Sequence, residues 1–278
     1  MPDDPLESII QELLSSRNYK GIDLPPETVR DLLVTEMPNH RSQKDAVQVV
    51  RKKLHNIVAS YLGDPDYPAA AGVLEAAFRA GGDQAIKAAC SELLAVHAST
   101  LERLKIVDEF YPRLFGLTGG PPHTILDLAC GLNPLTFPWM GLPPDTCYYA
   151  YDIHRPRLVL LARFFELAGL PPLAVYQDVL VNPPQVEADV AFLFKEAHRF
   201  EQRQRGCNRA FWQALKVRYL LVSLPPHSLS GQHDMVDRQR RLVYNTVAGL
   251  PWEVTEINFE NEMVFLIEKP IESTSPPS

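Results

Sequence analysis

The sequence predicts an α/β protein in which a doubly wound, mostly parallel sheet follows an all-helical N-terminal region. Two observations predict this class. Apolar residues recur at helical spacing through roughly the first 115 residues, whereas short β-rich runs alternate with helical stretches from residue 124 onward. Several of these runs are apolar on both faces, so we expect helices to cover both sides of the sheet.

The N-terminal region is predicted to consist of amphipathic helices. The segments DPLESIIQELLSS, PPETVRDLLVTEM and SQKDAVQVVRKKLHNIVASYL each carry apolar residues on one face, and Ser42 is placed to cap the third helix. Two further helices are expected over residues 69–80 and 82–96, and one continuous helix over residues 99–115.

Seven strands are predicted for the remainder of the chain. The parallel strands are expected at residues 124–130, 147–153, 173–179, 190–195 and 219–225. The runs WEVTEINF and EMVFLIEK meet at ENE and predict a closing antiparallel hairpin. The polar residues 271–278 are expected to form a disordered tail.

The composition bears on location and on metal binding. No apolar run reaches the roughly 18 residues that a membrane span needs, and the acidic N-terminus lacks the layout of a signal peptide. We therefore expect a cytoplasmic protein without membrane contact. The four cysteines are scattered without metal-ligand spacing, so we expect reduced thiols and no metal site.

Two clusters of basic residues occur in a chain of net charge −7. Residues 17–55 contain eight Lys and Arg against five acidic residues, and residues 199–218 contain six against one. Solvated helix faces explain such clusters as readily as contacts with nucleic acid do, and composition leaves both interpretations open.

Three acidic residues lie on the first three predicted strands, towards the carboxyl ends at which open parallel sheets bind ligands. Asp127 lies inside the first strand, Asp152 ends the second, and Asp178 ends the third. An acid after the second strand suits two ribose hydroxyls, and one after the third suits an adenine amine. The turn ACGLNP offers a close backbone approach at Gly131, with Asn133 as a cap for a following helix.

The same turn lacks a glycine-rich phosphate loop. No G-x-G-x-x-G follows the first strand, so nothing is arranged to hold a pyrophosphate. S-adenosylmethionine contains a ribose and an adenine but no phosphate, and the closing hairpin suits a methyltransferase better than a dehydrogenase. The sequence therefore predicts the class I S-adenosylmethionine-dependent methyltransferase fold over residues 106–270, after a helical N-terminal domain over residues 1–105.

More specific strings resemble one family. HASTLERL, ILDLACGLNPL, YDIH, QDVL and SLPPHSLSG resemble motifs of the aminoglycoside-resistance 16S rRNA (guanine-N7) methyltransferases, which act on a guanine in the ribosomal decoding site. The resemblance covers nearly the whole chain, including the N-terminal helices. We therefore expect a monomer that uses S-adenosylmethionine and acts on 16S rRNA in the 30S subunit.

The resemblance implies a set of cofactor contacts. Arg103 would pair with the methionine carboxylate, which its planar fork suits, and Asp152 would hold the ribose. Asp178 and Val179 would hold the adenine. The other implied cofactor contacts are Tyr61, His97, Ala98, Ser99, Ala129, Gly131 and Phe194.

The resemblance also implies residues that meet the RNA. Lys195 and Glu201 would belong to the catalytic region where the target base meets the methyl donor. The family's N-terminal extension docks on the RNA, so the first basic cluster would be its counterpart. The implied RNA contacts are Lys20, Arg41, Lys44, Arg51, Lys52 and, from the second cluster, Arg203.

The chain departs from the family pattern at two segments on the side of the target. The residues 196–198 read Glu-Ala-His where the family continues Leu-Leu-Pro, and Gln232 and Asp234 stand where Arg or Lys and Gly are typical. Two alternatives to an active rRNA methyltransferase follow: a weakly active or non-catalytic relative that binds cofactor and RNA, and a small-molecule methyltransferase. The basic cluster over residues 199–218 argues against the second, since a small substrate does not require so many cations.

Overall fold

The computed structural model describes residues 6–17, 19, 22–59, 63–226 and 235–270. Four residues that the sequence analysis names, Lys20, Tyr61, Gln232 and Asp234, lie outside the described residues, as does the predicted tail at 271–278.

A seven-stranded sheet forms the centre of the fold. Its strands are β1 (Thr124–Leu128), β2 (Cys147–Asp152), β3 (Ala174–Tyr176), β4 (Ala188–Phe194), β5 (Val217–Leu224), β6 (Glu253–Asn258) and β7 (Met263–Glu268). The order is β3-β2-β1-β4-β5-β7-β6, with β1 to β5 parallel and β7 antiparallel to both of its neighbours. This arrangement confirms the predicted class I methyltransferase topology with a terminal antiparallel hairpin.

Helices precede the sheet and connect its strands. They are α1 (Glu7–Ser15), α2 (Pro26–Glu36), α3 (Gln43–Val58), α4 (Tyr67–Ala80), α5 (Asp83–Leu94), α6 (Ala98–Leu104), α7 (Val107–Leu117), α8 (Arg155–Leu167), α9 (Ala197–Arg203), α10 (Cys207–Ala214) and α11 (Val236–Val247). The predicted cap of α3 is confirmed, because the Ser42 side chain accepts a hydrogen bond from the Asp45 N–H. None of the described helices is long and apolar enough to cross a membrane.

The prediction of one continuous helix over residues 99–115 is wrong. The chain leaves the helical conformation at Ile106, whose ψ is 4°, and a tighter hydrogen bond from the Ile106 N–H to the Arg103 carbonyl closes α6. The partly buried Leu104 on α6 nevertheless packs against the core cluster that contains Val107 and Phe110 of α7. Apolar spacing therefore continues through the break and does not reveal it.

The described residues bury three hydrophobic clusters. One lies on each face of the sheet, which confirms that helices cover both sides, and α4, α5 and α7 contribute to one of these two clusters. Helices α1 to α3 form a third cluster, to which Leu13, Leu33 and Leu54 contribute. The half-buried Ile153, just after β2, packs against this third cluster and joins it to the sheet.

Candidate active site

The turn after β1 is held in an uncommon backbone conformation. Ala129 and Gly131 both have positive φ values, 52° and 57°. The Gly131 N–H donates to Asp152 Oδ2 at 3.0 Å and so ties this turn to the end of β2. A Cβ on Gly131 would lie 3.8 Å from Arg157 Nη1, an ordinary contact, so the positive φ rather than a lack of space favours glycine.

Asp152 ends β2 and is only 4% exposed. Besides Gly131, it accepts hydrogen bonds from the His154 N–H at 2.9 Å and from Arg157 Nη1 at 3.2 Å. These donors fix the carboxylate at the carboxyl edge of the sheet, next to the turn after β1. This is the position in which the sequence analysis expects a ribose-binding acid.

Asp64 organises a second group of polar side chains beside Asp152. Its carboxylate accepts a hydrogen bond from Arg157 Nη2 at 2.6 Å, lies 3.3 Å from His154 Nδ1, and also contacts His97 Nε2 and the Tyr67 hydroxyl. Burial alone would raise the pKa of Asp64, but hydrogen bonds from the two histidines and the charge of Arg157 outweigh it and lower the pKa. His97, one of the predicted cofactor contacts, has its ring against Asp64 in this group.

Arg103 on α6 donates three hydrogen bonds to side chains of the site. The Nε and Nη2 atoms donate to the two oxygens of Glu262, at 3.2 and 2.5 Å, and Nη1 donates to Asn133 Oδ1. The guanidinium also lies over the rings of Phe110 and Phe194, at 4.8 and 4.4 Å from their centroids. Arg103 thus reaches the turn before β7, and its charged partner there is Glu262.

Asn133 does not cap the helix that follows it, which corrects a prediction. The residues from Asn133 to Trp139 form a short 3-10 helix in which Leu132 holds the cap position. The Asn133 amide donates to Asp127 Oδ2 at 2.9 Å, and its oxygen accepts from Arg103 and from the Tyr111 hydroxyl. The side chain is therefore used to join Asp127 to Arg103.

Lys195 follows β4 in a left-handed conformation, with a φ of 59°. Its ammonium group donates to Glu102 Oε2 at 2.6 Å and to the Ser99 carbonyl at 3.3 Å, and it lies 3.7 Å from Glu262 Oε2. A non-glycine residue in this conformation costs free energy and is typical of functional sites. The strained backbone holds the ammonium group against the start of α6, beside Arg103.

The loop after β3 places Asp178 against the N-terminal helices. Asp178 is 2% exposed and accepts hydrogen bonds from the Thr28 hydroxyl and from Arg203 Nη1, each at 2.7 Å. Arg203 also donates to Asp31 at 3.0 Å. Arg203 is itself only 9% exposed, so its burial between two carboxylates corrects the prediction of an RNA contact there.

The other predicted site residues have the following surroundings. Glu201 accepts hydrogen bonds from the Gly206 N–H and from Asn208 Nδ2, so its described contacts hold the connection between α9 and α10. Its predicted place at the target base stays a prediction. Val179 is buried, Ser99 is exposed, and Ala98 begins α6.

Four of the residues expected to contact RNA, Arg41, Lys44, Arg51 and Lys52, lie on or beside α3. Arg41, Lys44 and Lys52 are exposed, whereas Arg51 is half-buried and paired with Glu12 at 2.7 Å. The exposed members leave their charges available to a phosphate backbone.

The departure at residues 196–198 places two titratable side chains near the site. Burial raises the pKa of Glu196 to about 7, the Arg199 charge opposes this rise, and the Asp152 charge adds to it. Burial and the charges of nearby basic residues lower the pKa of His198 to about 4. Both groups are therefore held towards their neutral forms.

The family model described as ribosomal RNA methyltransferase (FmrO) matches residues 15–266. The chain belongs to this family. It is 30% identical to a 16S rRNA (guanine(1405)-N(7))-methyltransferase of Micromonospora echinospora, over 96% of this chain and 98% of that relative. It is 32% identical to the Serratia marcescens protein of the same name, over 95% of this chain and 98% of the relative.

Two solved structures of similar proteins share the fold. The 16S rRNA methylase RmtB superposes with a TM-score of 0.76 at 28% identity, over 95% of this chain and 98% of RmtB. The 16S rRNA methyltransferase RmtF, solved with S-adenosyl-L-homocysteine, superposes with a TM-score of 0.73 at 27% identity, over 96% of this chain and 99% of RmtF.

Three residues of this rRNA methyltransferase site do not emerge from the sequence analysis. Asp64 lies in the breaker segment GDPDYP, Glu262 lies in the turn ENE, and Thr28 lies on a helix whose pattern indicates only an apolar face. Polar residues in such segments are typical of solvent-exposed turns and helix faces. Their contacts with His97, Arg103 and Asp178 depend on the tertiary fold.

The buried Asp127 makes the free energy of unfolding depend on pH. Burial raises its pKa to about 7, although hydrogen bonds from Tyr148 and Asn133 and the charge of Arg103 oppose the rise. A carboxyl group whose pKa is higher in the folded protein binds more protons there than in the unfolded chain. Asp127 therefore lowers the free energy of unfolding as the pH rises from about 4 to about 7.

We expect the variant Asp127→Asn, which has no carboxyl group at this position, to lose this contribution. We expect the free energy of unfolding, measured with urea, to fall less or rise more in the variant than in the wild type when the pH is raised from 5 to 7.5. The exposed Asp145→Asn serves as the control and should behave as the wild type does. Equal pH dependence in wild type and Asp127→Asn would show that Asp127 is ionised normally.

Proposed function

We propose that the protein transfers a methyl group from S-adenosylmethionine to N7 of the 16S rRNA guanine for which its relatives are named, and so confers aminoglycoside resistance. The observation that carries the proposal is the extent of the family match. It includes the N-terminal helices as well as the sheet, and the relatives are covered over nearly their whole length. A likeness confined to the methyltransferase fold would not favour an RNA substrate.

The site contains groups that suit this cofactor. Asp152 would hold the ribose, and the segment of Asp178 and Val179 would hold the adenine. Arg103 has three of its five N–H donors bonded to described residues, so two remain for the methionine carboxylate. Asp127 Oδ1 is buried and has no hydrogen-bond partner among the described residues, which suits the positively charged amino group of the methionine.

The chemistry requires positioning rather than a general base. The cofactor supplies an electrophilic methyl group when bound. The lone pair of guanine N7 forms the new C–N bond, the electrons of the broken C–S bond stay on sulfur, and the positive charge passes to the purine ring. Guanine N7 carries no proton at neutral pH, so the protein must only align the base, which leaves its stack to reach the site. Lys195 would hold the displaced nucleotide, and its contacts with Glu102 and Glu262, the partner of Arg103, support this role.

We propose that α1 to α3 form the unit that docks on the 30S subunit. These helices share a hydrophobic cluster of their own, whereas α4, α5 and α7 pack with the sheet, so the unit ends nearer to residue 58 than to residue 105. Exposed cations on or beside α3 would contact phosphates. The proposal includes a monomer in the cytoplasm that needs no metal.

The first test measures methyl transfer to purified 30S subunits from labelled cofactor, followed by mapping of 7-methylguanine in the 16S rRNA. We expect one modified guanine, and a loss of about 100-fold or more for Asp152→Ala and Lys195→Ala, because misplaced reactants react slowly. The exposed Asp145→Ala and Lys105→Ala are matched controls and should keep wild-type activity.

The outcome separates the alternatives. A wild-type protein that binds cofactor but leaves the 30S subunit unlabelled would be a non-catalytic relative, and the proposal would be wrong. Label in a small molecule but not in rRNA would identify a small-molecule methyltransferase.

A second test concerns the docking surface. We expect Lys44→Ala/Lys52→Ala to weaken binding to 30S subunits and to reduce the dependence of log K on log salt by roughly one for each phosphate that is no longer neutralised. Cofactor affinity should not change. The double variant Arg79→Ala/Lys87→Ala removes two cations from α4 and α5 and should bind 30S subunits as the wild type does. Equally weakened binding in both double variants would show that net charge, not this surface, determines binding.

A further inference from the structure

Glu262 is a fully buried carboxylate that has no role in the proposed chemistry so far. It immediately precedes β7, in the turn of the closing hairpin, and its exposure is 0%. A charge in such a position is costly unless it is paired and hydrogen-bonded. Its contacts therefore indicate which parts of the site it holds together.

The charged partners of Glu262 are the two cations that the proposed function needs, and Ser223 also forms a hydrogen bond with it. Both carboxylate oxygens accept hydrogen bonds from Arg103, and Lys195 Nζ lies 3.7 Å from Oε2. Burial would raise the pKa of Glu262, but the charges of Arg103 and Lys195 outweigh it and lower the pKa. Glu262 is thus ionised and bound to both cations.

The orientation of Arg103 follows from this pairing. Glu262 occupies the edge of the guanidinium that carries Nε and Nη2, and Asn133 accepts from Nη1. Phe110 and Phe194 contact the guanidinium plane, so rotation about the side-chain axis is restricted. The two N–H donors that these bonds leave are consequently fixed in direction.

We propose that Glu262 is a positioning residue of the methyltransferase site, which holds Arg103 so that its two remaining donors face the methionine carboxylate of the cofactor. The inference rests on the proposed function, because it assumes the role given to Arg103. The alternative to positioning is that Glu262 competes with the cofactor carboxylate for Arg103. The structure favours a positioning role for Glu262. Its burial and the nearby Lys195 ammonium group hold it on the edge of the guanidinium that carries Nε and Nη2.

The test compares two ligands by calorimetry in the absence of RNA. S-adenosylhomocysteine carries the amino-acid carboxylate, whereas 5′-methylthioadenosine keeps the adenosine and the sulfur but has no carboxylate. We expect Glu262→Gln to weaken S-adenosylhomocysteine binding about tenfold or more and to change methylthioadenosine binding less than twofold. Glu268→Gln at the end of β7, a surface residue paired with Arg218, is the matched control and should change neither.

A double-mutant cycle with Arg103→Ala makes the test specific. In the Arg103→Ala background, Glu262→Gln should cause no further loss of S-adenosylhomocysteine affinity, because the residue acts through Arg103. Glu262→Asp retains the charge and should lose affinity for S-adenosylhomocysteine less than Glu262→Gln does. This variant also provides the measurement if the glutamine variant does not fold.

Three results would overturn the inference. Tighter S-adenosylhomocysteine binding by Glu262→Gln would show competition, equal losses for both ligands would show a merely structural role, and unchanged binding would show no role. Failure of the proposed function is distinct, because it would leave these affinities as expected while 30S subunits remain unmethylated.

Discussion

The pairing of Arg103 with Glu262 joins α6 to the turn before β7, and it fixes the carboxyl edge of the sheet between them. Both groups are buried, so each would be costly without the other. Asn133 extends the contact to Asp127, and Lys195 extends it to Glu102. The result is a continuous network of polar side chains across the ends of β1 and β4, in which the charges of Glu102, Lys195, Glu262 and Arg103 alternate. Because the members satisfy one another, none can be displaced without leaving a partner unpaired, and the site is rigid before a ligand arrives.

A second set of buried contacts connects this edge to the N-terminal helices. Thr28 and Asp31 on α2 reach Asp178 and Arg203 directly, and Lys53 on α3 pairs with Glu36 at 2.7 Å and donates to the Arg203 carbonyl. The helices proposed to dock on RNA therefore touch the segment proposed to hold adenine. Their orientation relative to the sheet is set by ion pairs and hydrogen bonds inside the protein, and a docked ribosomal subunit would meet a surface of fixed geometry.

The sequence was sufficient for the sheet, because its apolar runs and terminal hairpin have a local signature, and for the position of Asp152 at the end of β2. It was not sufficient for pairings between residues that are distant in the chain. Arg103 and Glu262 are 159 residues apart, and Thr28 and Asp178 are 150 apart. Arg203 illustrates the reverse error: a cationic cluster on helices suggests a solvated face, but two carboxylates from other elements bury this member. Periodicity likewise could not show the break at Ile106, because Leu104 before it and Val107 after it pack on the same core cluster.

The most direct measurement of the central claim is a crystal structure of the protein with S-adenosylhomocysteine. The account predicts that Arg103 keeps its contact with Glu262 while its other donors bind the homocysteine carboxylate, and that the ribose hydroxyls lie against Asp152. A ligand carboxylate that replaces Glu262 on Arg103, or a ribose bound away from Asp152, would contradict it.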